Sequence, residues 1–426
     1  MSVPYNKLYP DHFTAEDYIN EETYKYTRAP VESAMTIIPD AFTNKTFYGI
    51  EQDKIFGNSW VNIGLTAQLQ NQGDVIVADV AGQSIIVTRN KQGELRAFYN
   101  VCRHRGVKLL NNDCTAVRSN RIRCPYHSWA YDLDGKCLGT PLFEGSDIPP
   151  DQQGVFNMKG VAKFAKEDYP LFSVHADSWG FLIFVNLGEN PMPLLDYLGD
   201  LPQRFANYKL EEWVIAREKE FIFEANYKLV AENFMEYYHL PWVHPELIQV
   251  SRMEDHYRWQ GPGMYTGMTT WPISQGEDGG WLGLPPMSSL SDINRESARF
   301  IFIFPNVAIS VMPNHTFVML TKPDGPARTI EQTWILCHPE SLEADGSDTE
   351  LDQLTDFWTL VNEQDIDIVQ RVQAGLSMKA YRGGRMCYHF EEPIHRFHNM
   401  IIDKMVGMER VPQGDAKEQL PMFTSD

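Results

Sequence analysis

Short hydrophobic runs alternate with turn residues in the first half of the chain. Three of them are Val75-Ile-Val-Ala-Asp, Ser84-Ile-Ile-Val-Thr and Glu94-Leu-Arg-Ala-Phe-Tyr, and residues such as Gly-Gln and Asn-Lys-Gln-Gly separate them. Runs of this length with such turn chemistry between them are typical of short strands. The pattern therefore predicts a small antiparallel β domain over residues 46–165.

The pattern differs on either side of this domain. Residues 1–45 are polar and partly amphipathic, so we predict a helical arm that packs on the larger domain. A strand is expected over residues 179–186, after which helical and strand patterns mix. Residues 354–380 have the spacing of a long amphipathic helix. Residues 411–426 are polar and predict a loose tail.

Composition narrows the function classes. The 426 residues carry a net charge of −20, which argues against nucleic acid or an anionic membrane surface as a partner. No apolar run reaches the roughly eighteen residues of a membrane span, and the first residues have no signal or transit pattern. We therefore expect a cytoplasmic protein without membrane contact. Six cysteines in a chain of this length do not indicate a disulfide framework.

One cysteine and one histidine lie close together at two places in the predicted β domain. The first pair is Cys102 and His104, and the second is Cys124 and His127. Four such residues could hold a structural zinc ion, but zinc fingers usually keep their cysteines together and their histidines together. Here each short loop contributes one of each, which suits a two-iron cluster with thiolates on one iron and imidazoles on the other. Structural zinc stays the alternative.

A second group of candidate metal ligands lies in an apolar run later in the chain. Glu236, His239 and His244 occur there, and a charge buried among apolar residues needs a partner such as a metal ion. Two histidines and one carboxylate with open positions opposite suit non-haem Fe(II) oxygen chemistry. Because the residue before Pro241 disfavours the α region, we expect the helix that carries Asn233 to Leu240 to end there. Glu236 and His239 would then share one helix face.

The two motifs together resemble one family, the ring-hydroxylating or Rieske non-haem iron oxygenases. The resemblance to its Rieske domain rests on Cys102-x-His104, Cys124-x2-His127 and the following Trp129-x-Tyr131-x-x-Asp134-Gly135. The catalytic α subunits of the family also carry a Glu/Asp-x2-His-x4-His pattern, which matches Glu236, His239 and His244. The resemblance spans about residues 45–400.

This resemblance implies an α+β fold. A Rieske β domain over residues 46–165 would be inserted before a larger catalytic domain over residues 166–410, with a central antiparallel sheet and helices. One departure from the family is Ser128, where Gly usually follows the second histidine. We expect this serine to perturb the loop slightly without changing the cluster ligands.

The resemblance also implies a [2Fe–2S] cluster held by Cys102, His104, Cys124 and His127. High-potential Rieske proteins have a disulfide-bonded cysteine in each loop, where this chain has Val107 and Tyr126, and a serine where it has Trp129. Fewer hydrogen bonds to the cluster sulfurs lower the reduction potential. We therefore expect a potential at the low end of the Rieske range, around −150 mV.

A mononuclear Fe(II) is the second cofactor that the resemblance implies, with His239 and His244 as two of its ligands. In the family the third ligand precedes a hydrophobic-Val-Glu/Gln step on a long helix. The run Asp365-Ile-Asp-Ile-Val-Gln370 matches this pattern with Asp365 in the ligand position. Asp367 is the fallback, although we expect it to point to the other side of the helix and into solvent.

Glu236 is expected to act between the two centres. By resemblance it does not bind iron but joins His239 of one subunit to the Rieske His127 of its neighbour. Asn233, in the same stretch, is the other candidate catalytic residue. Most ring dioxygenases have Asp where this chain has Glu236, and a Glu-x-Tyr-His sequence resembles the branch that oxidises choline, glycine betaine and carnitine.

The function that follows is a terminal oxygenase. It would use O2 and electrons from a partner reductase to hydroxylate a small quaternary ammonium substrate at an N-methyl or adjacent carbon. Two alternatives stay open. One is an arene or aromatic-acid ring hydroxylase on the same scaffold. The other is a Rieske electron carrier without oxygenase activity, against which the intact iron-ligand set argues.

Aromatic residues are the candidates for substrate binding, since a quaternary ammonium group cannot be hydrogen-bonded and is held by aromatic faces. We expect Trp271 first and then Tyr265, Phe317 and Trp259 to line the pocket, because they lie in the segment that does so in relatives. Trp281 lies in the same segment. An aromatic pocket would accept an arene equally well, so these residues discriminate poorly between substrates.

The electrons must come from a partner, because the sequence has no G-x-G-x-x-G unit after a strand. We expect a separate flavin- or ferredoxin-type reductase that draws on NAD(P)H. Its docking site is predicted at a basic patch in which a single acid, Asp113, accompanies six basic residues: Arg103, Arg105, Lys108, Arg118, Arg121 and Arg123. A solvated loop face is the alternative. By resemblance to the family we expect a head-to-tail homotrimer, since transfer between subunits through Glu236 requires a closed ring.

Overall fold

The structure is a computed structural model that describes the following residues: 9–10, 12–145, 159–249, 251–271 and 283–411. The chain forms two compact units. The smaller unit comprises residues 63–178 and 182–191, and the larger unit comprises the rest. The smaller unit thus begins and ends later than the predicted 46–165.

Strands and helices both occur along the described residues. The strands are β1 Val61–Leu65, β2 Val75–Val80, β3 Gln83–Arg89, β4 Leu95–Tyr99, β5 Ile122–Arg123, β6 Ala130–Tyr131, β7 Cys137–Gly139, β8 Ser173–Trp179, β9 Leu182–Asn186, β10 Val214–Phe223, β11 His256–Trp259, β12 Tyr265–Thr270, β13 Ala298–Ile303, β14 Val307–Val311, β15 Thr316–Pro323 and β16 Thr329–Cys337. The α-helices are α1 Asp40–Thr43, α2 Lys45–Lys54, α3 Leu194–Leu198, α4 Leu201–Arg204, α5 Tyr227–Met235, α6 Leu240–Val243, α7 Asp292–Arg295, α8 Pro339–Leu342, α9 Ser347–Leu376 and α10 Tyr388–Val406. Turns of 3-10 helix lie at Asp17–Ile19, Glu21–Tyr24, Phe56–Asn58, Thr66–Gln68, Arg118–Asn120, Lys166–Asp168, Ala206–Tyr208, Leu210–Glu212, Leu247–Gln249 and Met253–Asp255.

The smaller unit is built on two sheets. The larger sheet has the strand order β1-β9-β8-β4-β3-β2, and a three-stranded sheet has the order β5-β6-β7. The single strand that we predicted over 179–186 is wrong, because β8 ends at Trp179 and β9 begins at Leu182. Gly180 has a φ of +55°, which a two-residue hairpin turn demands and glycine adopts without steric cost. The turn could not be predicted from the sequence because apolar residues continue on both sides of Gly180.

The larger unit has a seven-stranded antiparallel sheet in the order β10-β16-β15-β14-β13-β12-β11. Helices α5, α9 and α10 pack against it: α5 contacts β13 and β15, α9 contacts β10, and α10 contacts β12. Helix α5 also contacts α9. The predicted α+β class with an antiparallel sheet and helices in the larger domain is confirmed. None of the helices in the described ranges is long and apolar enough to cross a membrane.

A buried ion pair anchors the first turn of α5. Lys228 Nζ lies 2.7 Å from Glu51 Oε1, and both side chains are fully buried. Tyr227 donates a further hydrogen bond to Glu51 Oε1 at 3.0 Å. Burial raises the pKa of Glu51 and lowers that of Lys228, so each group depends on the other to stay charged. The pair therefore fixes the helix that leads into the histidine-bearing segment.

We expect Glu51→Ala to lower the free energy of unfolding by about 3–5 kcal/mol, because it leaves the Lys228 ammonium buried without a partner. Urea unfolding followed by tryptophan fluorescence measures this loss. The double variant Glu51→Leu/Lys228→Met removes both charges and is expected to be more stable than the single variant. A double variant that is as unstable as Glu51→Ala would contradict the explanation.

Candidate functional site

The segment that carries the candidate iron ligands is a turn between two helices. Helix α5 ends at Met235, and Glu236 is extended, with φ −123° and ψ 164°. His239 is the N-cap of α6, and Pro241 lies in the first turn of α6. The predicted helix from Asn233 through residue 240 is therefore wrong. Proline is tolerated in a first turn because no helical hydrogen bond needs its N–H there, so Pro241 begins a helix instead of ending one.

Glu236 is bonded to the turn that follows it. Its Oε2 accepts hydrogen bonds from the backbone N–H groups of Tyr238 and His239. Its Oε1 lies 2.6 Å from His239 Nδ1. A carboxylate accepts, so Nδ1 carries the proton and Nε2 of His239 is left as a free donor atom for a metal.

His244 is oriented in the same way by a different residue. Its Nδ1–H donates to Gln364 Oε1 at 2.7 Å, which leaves Nε2 to face Asp365 Oδ1 at 2.9 Å. Nε2 of His239 lies 3.8 Å from the same oxygen. One ligand atom from each of the three side chains lies within 4.8 Å of the other two. This donor set, with both Nδ1 atoms bonded outward and both Nε2 atoms converging on a carboxylate, fits a mononuclear Fe(II).

The two candidate aspartates on α9 differ in their surroundings. Asp365 faces the histidines, and its side chain is 17% exposed. The Asp367 side chain is 67% exposed and pairs with Arg371 at 2.9 Å on the same helix. Burial lowers the pKa of His244, but its hydrogen bond to Asp365 and the charge of that carboxylate outweigh burial, so the pKa is raised. Asp365 thus supplies the negative charge at the site.

A cavity of about 300 Å³ opens beside these ligands. Glu236, His239, His244, Asp365 and Asn233 all line it. Its other described lining residues are mainly apolar and aromatic, and they include Phe223, Phe234, Phe300, Met312, Phe317, Met319, Phe357 and Trp358. The volume is at the small end for ligand pockets, which suits a compact substrate.

The sequence predicted only part of this lining. Phe317 lines the cavity, whereas Trp259, Tyr265 and Trp271 are not among its lining residues. Side chains alternate between the two faces of β12, and the cavity receives Met268 and Thr270.

Two of the residues that were wrongly predicted to line the cavity form hydrogen bonds elsewhere. Tyr265 donates its hydroxyl hydrogen to the Asp200 carboxylate, and Trp259 donates to Thr269 Oγ1 at 2.9 Å. Trp281 lies outside the described residues. Segment position alone was a poor guide to the pocket, because it does not give the strand register.

Several lining residues were missed. Trp358 stacks on Phe317 with ring centroids 4.5 Å apart. On α9, Trp358 lies about two turns and Asn362 about one turn before Asp365, and both are buried. Asn362 could have been found from the sequence. It is an amide among the mainly apolar buried positions of α9, and a buried amide is expected to have a hydrogen-bond partner inside the protein. Asn362 donates to Glu331 Oε2 at 2.7 Å.

The predicted cluster ligands lie together in the smaller unit. Cys102 and Cys124 are buried, and the rings of His104 and His127 have centroids 4.8 Å apart. Nδ1 of His104 is buried and has no hydrogen-bond partner among the described residues. An orphaned imidazole nitrogen next to two buried thiols fits a ligand of a two-iron cluster. His127 is exposed.

The loop after His127 contains the departure from the family that the sequence showed. Ser128 has a φ of +57°, in the left-handed region where glycine is favoured. A side chain there costs about 1 kcal/mol of backbone strain. The four ligand positions nevertheless lie close together, and the effect of Ser128 on the cluster stays a prediction.

Tyr131 is a donor to the cluster environment that the sequence reasoning overlooked. Its hydroxyl lies 3.4 Å from Cys102 Sγ and accepts a hydrogen bond from the backbone N–H of Arg103 at 3.1 Å. With a deprotonated, iron-bound sulfur the hydroxyl can only donate to it. The bond stabilises the more electron-rich, reduced cluster.

Tyr131→Phe is therefore expected to lower the reduction potential of the cluster by about 40–60 mV, the one-electron equivalent of a hydrogen bond of about 1 kcal/mol. Redox titration followed by the visible spectrum of the cluster measures it. Tyr99→Phe in the same unit is the control and should leave the potential unchanged. An unchanged potential in Tyr131→Phe would show that the hydroxyl does not donate to the cluster.

The predicted basic patch is largely on the surface. Its exposed members are Arg105, Lys108, Arg118, Arg121 and Arg123. Arg103 instead packs its guanidinium 4.0 Å from the Phe172 ring and donates to Pro170 O. Five exposed cations in a chain of net charge −20 form a local region of opposite sign.

Comparisons with known proteins agree with both candidate metal centres. Residues 210–407 match the family described as Ring hydroxylating alpha subunit (catalytic domain). Residues 59–154 match the family described as Rieske [2Fe-2S] domain. Together the two matches contain every residue that we assigned to either metal centre.

Two relatives and one solved structure are similar over most of their length. The glycine betaine monooxygenase oxygenase subunit of Chromohalobacter salexigens is 28% identical over 87% of this chain and 86% of its own. The carnitine monooxygenase oxygenase subunit of Escherichia coli (strain K12) is 26% identical over 87% of this chain and 94% of its own. The structure of a quaternary ammonium Rieske monooxygenase, described in connection with carnitine oxidation and inter-subunit electron transfer, matches with a TM-score of 0.72 at 23% identity, over 87% of this chain and 96% of its own.

Proposed function

The chain belongs to the Rieske non-haem iron, or ring-hydroxylating, oxygenases, and we propose that it hydroxylates a small quaternary ammonium compound next to its nitrogen. The observation that carries the proposal is a small aromatic cavity that opens directly onto the His239, His244 and Asp365 side chains. The relatives named for glycine betaine and carnitine oxidation support the substrate class.

Each metal centre has a separate task. His239, His244 and Asp365 would hold the mononuclear iron, which activates O2, and Cys102, His104, Cys124 and His127 would hold the cluster, which supplies electrons one at a time. Glu236 keeps His239 in the tautomer with a free Nε2, and Gln364 does the same for His244. The apolar lining excludes water from the reacting carbon.

The lining distinguishes the proposed substrate from its rivals. Aromatic faces attract a quaternary ammonium group, and Phe317 and Trp358 present stacked rings to the cavity. An arene would fill the same space, but it gains nothing from buried carboxylates such as Glu331. A bare electron carrier would have no use for a ligand-sized cavity beside a converging donor set, so the oxygenase is the better interpretation.

The overall reaction balances with O2, two protons and a two-electron donor. One atom of O2 enters a C–H bond of an N-methyl group, and the other leaves as water after two electrons and two protons are added. The hydroxymethyl ammonium product breaks its C–N bond and releases formaldehyde, a proton and the tertiary amine. The electrons come from NAD(P)H through a separate flavin- or ferredoxin-type reductase, which is consistent with the predicted cytoplasmic location.

We further propose that subunits form a closed, head-to-tail homotrimer in which Glu236 joins His239 to His127 of the partner subunit, so that electrons pass from the cluster of one subunit to the iron site of the next. Glu236 is bonded to His239, and His127 is exposed in the isolated chain. Trp242, close to Glu236 in the sequence, is 71% exposed, which is unusual for a tryptophan that has no partner surface. The exposed basic patch is the proposed docking surface for the acidic reductase.

The direct test is coupled oxygen uptake by the cluster- and iron-loaded protein with a surrogate reductase and NADH. The panel sets choline, glycine betaine, carnitine and proline betaine against benzoate and phthalate, with formaldehyde assayed. We expect uptake coupled to product only with quaternary ammonium compounds. A hydroxylated ring as the sole coupled product would overturn the proposed substrate class. No uptake with any compound would favour the electron carrier.

A further inference from the structure

The cavity contains a buried carboxylate that none of the assignments above uses. Glu331 lies on β16, opposite Thr321 of β15 and Phe221 of β10, and it is fully buried. Its Oε2 accepts the bond from Asn362, but its Oε1 has no hydrogen-bond partner among the described residues. A buried carboxylate oxygen without a partner is costly, and Glu331 is one of the residues that line the cavity, so a cationic ligand there would supply the missing compensation.

The other charged lining residues do not offset this carboxylate. Apart from the proposed iron ligands and Glu236, the described lining contains Glu246 and two further histidines, His256 and His315. Burial lowers the pKa of His315 to about 3, and Trp358 donates a hydrogen bond to its Nε2, so this imidazole is neutral. Burial also lowers the pKa of His256. Neither ring supplies positive charge at neutral pH.

No lysine or arginine is present among the described lining residues. The undescribed residues nearest in sequence to the lining are 250 and 272–282, and the sequence contains no lysine or arginine at any of them. Away from the proposed iron, a substrate carboxylate entering the cavity would therefore find apolar groups, carboxylates and neutral amides and hydroxyls such as Asn233 and Thr270, but no described basic side chain to pair with. A carboxylate placed near Glu331 without such a partner is disfavoured by repulsion between like charges.

From this arrangement we propose that Glu331 binds the positive nitrogen of the substrate and that the site selects cations without a carboxylate, such as choline, over zwitterionic betaines. This rests on the proposed function and specifies its substrate class. The aromatic rings contact the methyl groups. Oε1 of Glu331 supplies a negative charge, which attracts the cation more strongly than the ring faces do alone. Ser310, whose buried hydroxyl lines the cavity without a partner among the described residues, suits a substrate hydroxyl.

The ionisation of Glu331 is compatible with this role. Burial raises the pKa of Glu331 to about 7. A cation placed against Oε1 favours the charged carboxylate, so ligand binding and ionisation support one another. A neutral ligand of the same shape gains no binding free energy from the charge of Glu331. A betaine is attracted to Glu331 through its nitrogen, but its own carboxylate is repelled, so the two effects offset each other.

The test compares three ligands of similar size on the anaerobic, cluster- and iron-loaded protein: choline, its neutral carbon isostere 3,3-dimethyl-1-butanol, and glycine betaine. Dissociation constants are measured by calorimetry. The wild-type protein is expected to bind choline at least about tenfold more tightly than either of the others. Glu331→Gln should shrink both ratios by about tenfold, because the amide keeps the shape and the bond from Asn362 but lacks the charge. Glu220→Gln, at an exposed position on β10, is the matched control and should leave both ratios unchanged.

The outcomes separate the proposal from the function on which it rests. If the wild-type protein turns over a quaternary ammonium compound but Glu331→Gln keeps both ratios, the role of Glu331 is wrong while the function stands. If wild-type binds glycine betaine as tightly as choline, the selection of carboxylate-free cations is wrong. If Glu331→Gln does not fold, the wild-type ratios decide alone. If no quaternary ammonium compound is oxidised, the proposed function fails and this proposal fails with it.

Discussion

Asp365→Ala is expected to lower substrate-coupled oxygen uptake by at least about a thousandfold, equivalent to about 4 kcal/mol of transition-state stabilisation. Asp365 is the only carboxylate in the cluster of converging donors found among the described residues, and its Oδ1 faces Nε2 of both histidines. Without it the site has two neutral imidazoles, a poor match for a hard divalent cation. The iron content should fall from about three to about two per chain, while the visible spectrum of the cluster is unchanged.

Asp367→Ala is the matched control for this prediction. It removes a carboxylate from the same helix two residues away, but that carboxylate is exposed and its only described ion-pair partner is Arg371. Exposed pairs of this kind contribute at most about 1 kcal/mol to stability, so activity and iron content should stay at the wild-type level. Loss of iron in Asp367→Ala with full retention in Asp365→Ala would reverse the assignment.

The sequence predicted the donor atoms better than the backbone that carries them. The grouping of Cys102, His104, Cys124 and His127 could be predicted from the sequence, because each of two short loops holds one cysteine and one histidine close together. The choice of Asp365 over Asp367 rested on resemblance, and in the structure only Asp365 faces the histidines. Its role as a ligand stays a prediction until the iron is measured.

Features that depend on strand register and turn geometry could not be predicted in this way. Tyr265 and Met268 are three residues apart on β12, yet only Met268 faces the cavity, and no local signal states which face is inward when both are buried. Gly180 turns the chain within a continuous apolar run. Glu331 was missed because its hydrogen-bond partner, Asn362, is distant in the sequence and no local signal joins the two.

Glu236→Gln is expected to slow turnover by at least about a hundredfold while both metal centres stay occupied. With its oxygen turned towards His239 Nδ1, the glutamine side chain still accepts that hydrogen bond, so the imidazole keeps its place and the iron is retained. Its amide nitrogen then faces the backbone N–H groups of Tyr238 and His239, whose hydrogen bonds to the side chain are lost. The glutamine lacks the negative charge that stabilises a proton on the imidazole, and its amide cannot accept hydrogen bonds from two histidines through both of its terminal atoms. The step that suffers is therefore transfer of an electron from the cluster to the iron site.

A single-turnover experiment isolates that step. The cluster is reduced chemically, substrate and O2 are added, and the return of the oxidised-cluster spectrum is followed by stopped flow. In Glu236→Gln the return should be slowed to the same degree as turnover, with iron and cluster contents unchanged. Glu363→Gln, an exposed carboxylate on α9 next to Gln364, removes one negative charge near the site without touching either histidine and should behave as wild type. If Glu236→Gln loses iron and the sites that keep it reoxidise the cluster at the wild-type rate, the carboxylate holds the iron site together and does not connect the two centres. A slow return at full iron content and at saturating substrate and O2 has the opposite meaning, because the electron acceptor is then present and the transfer to it is what is delayed.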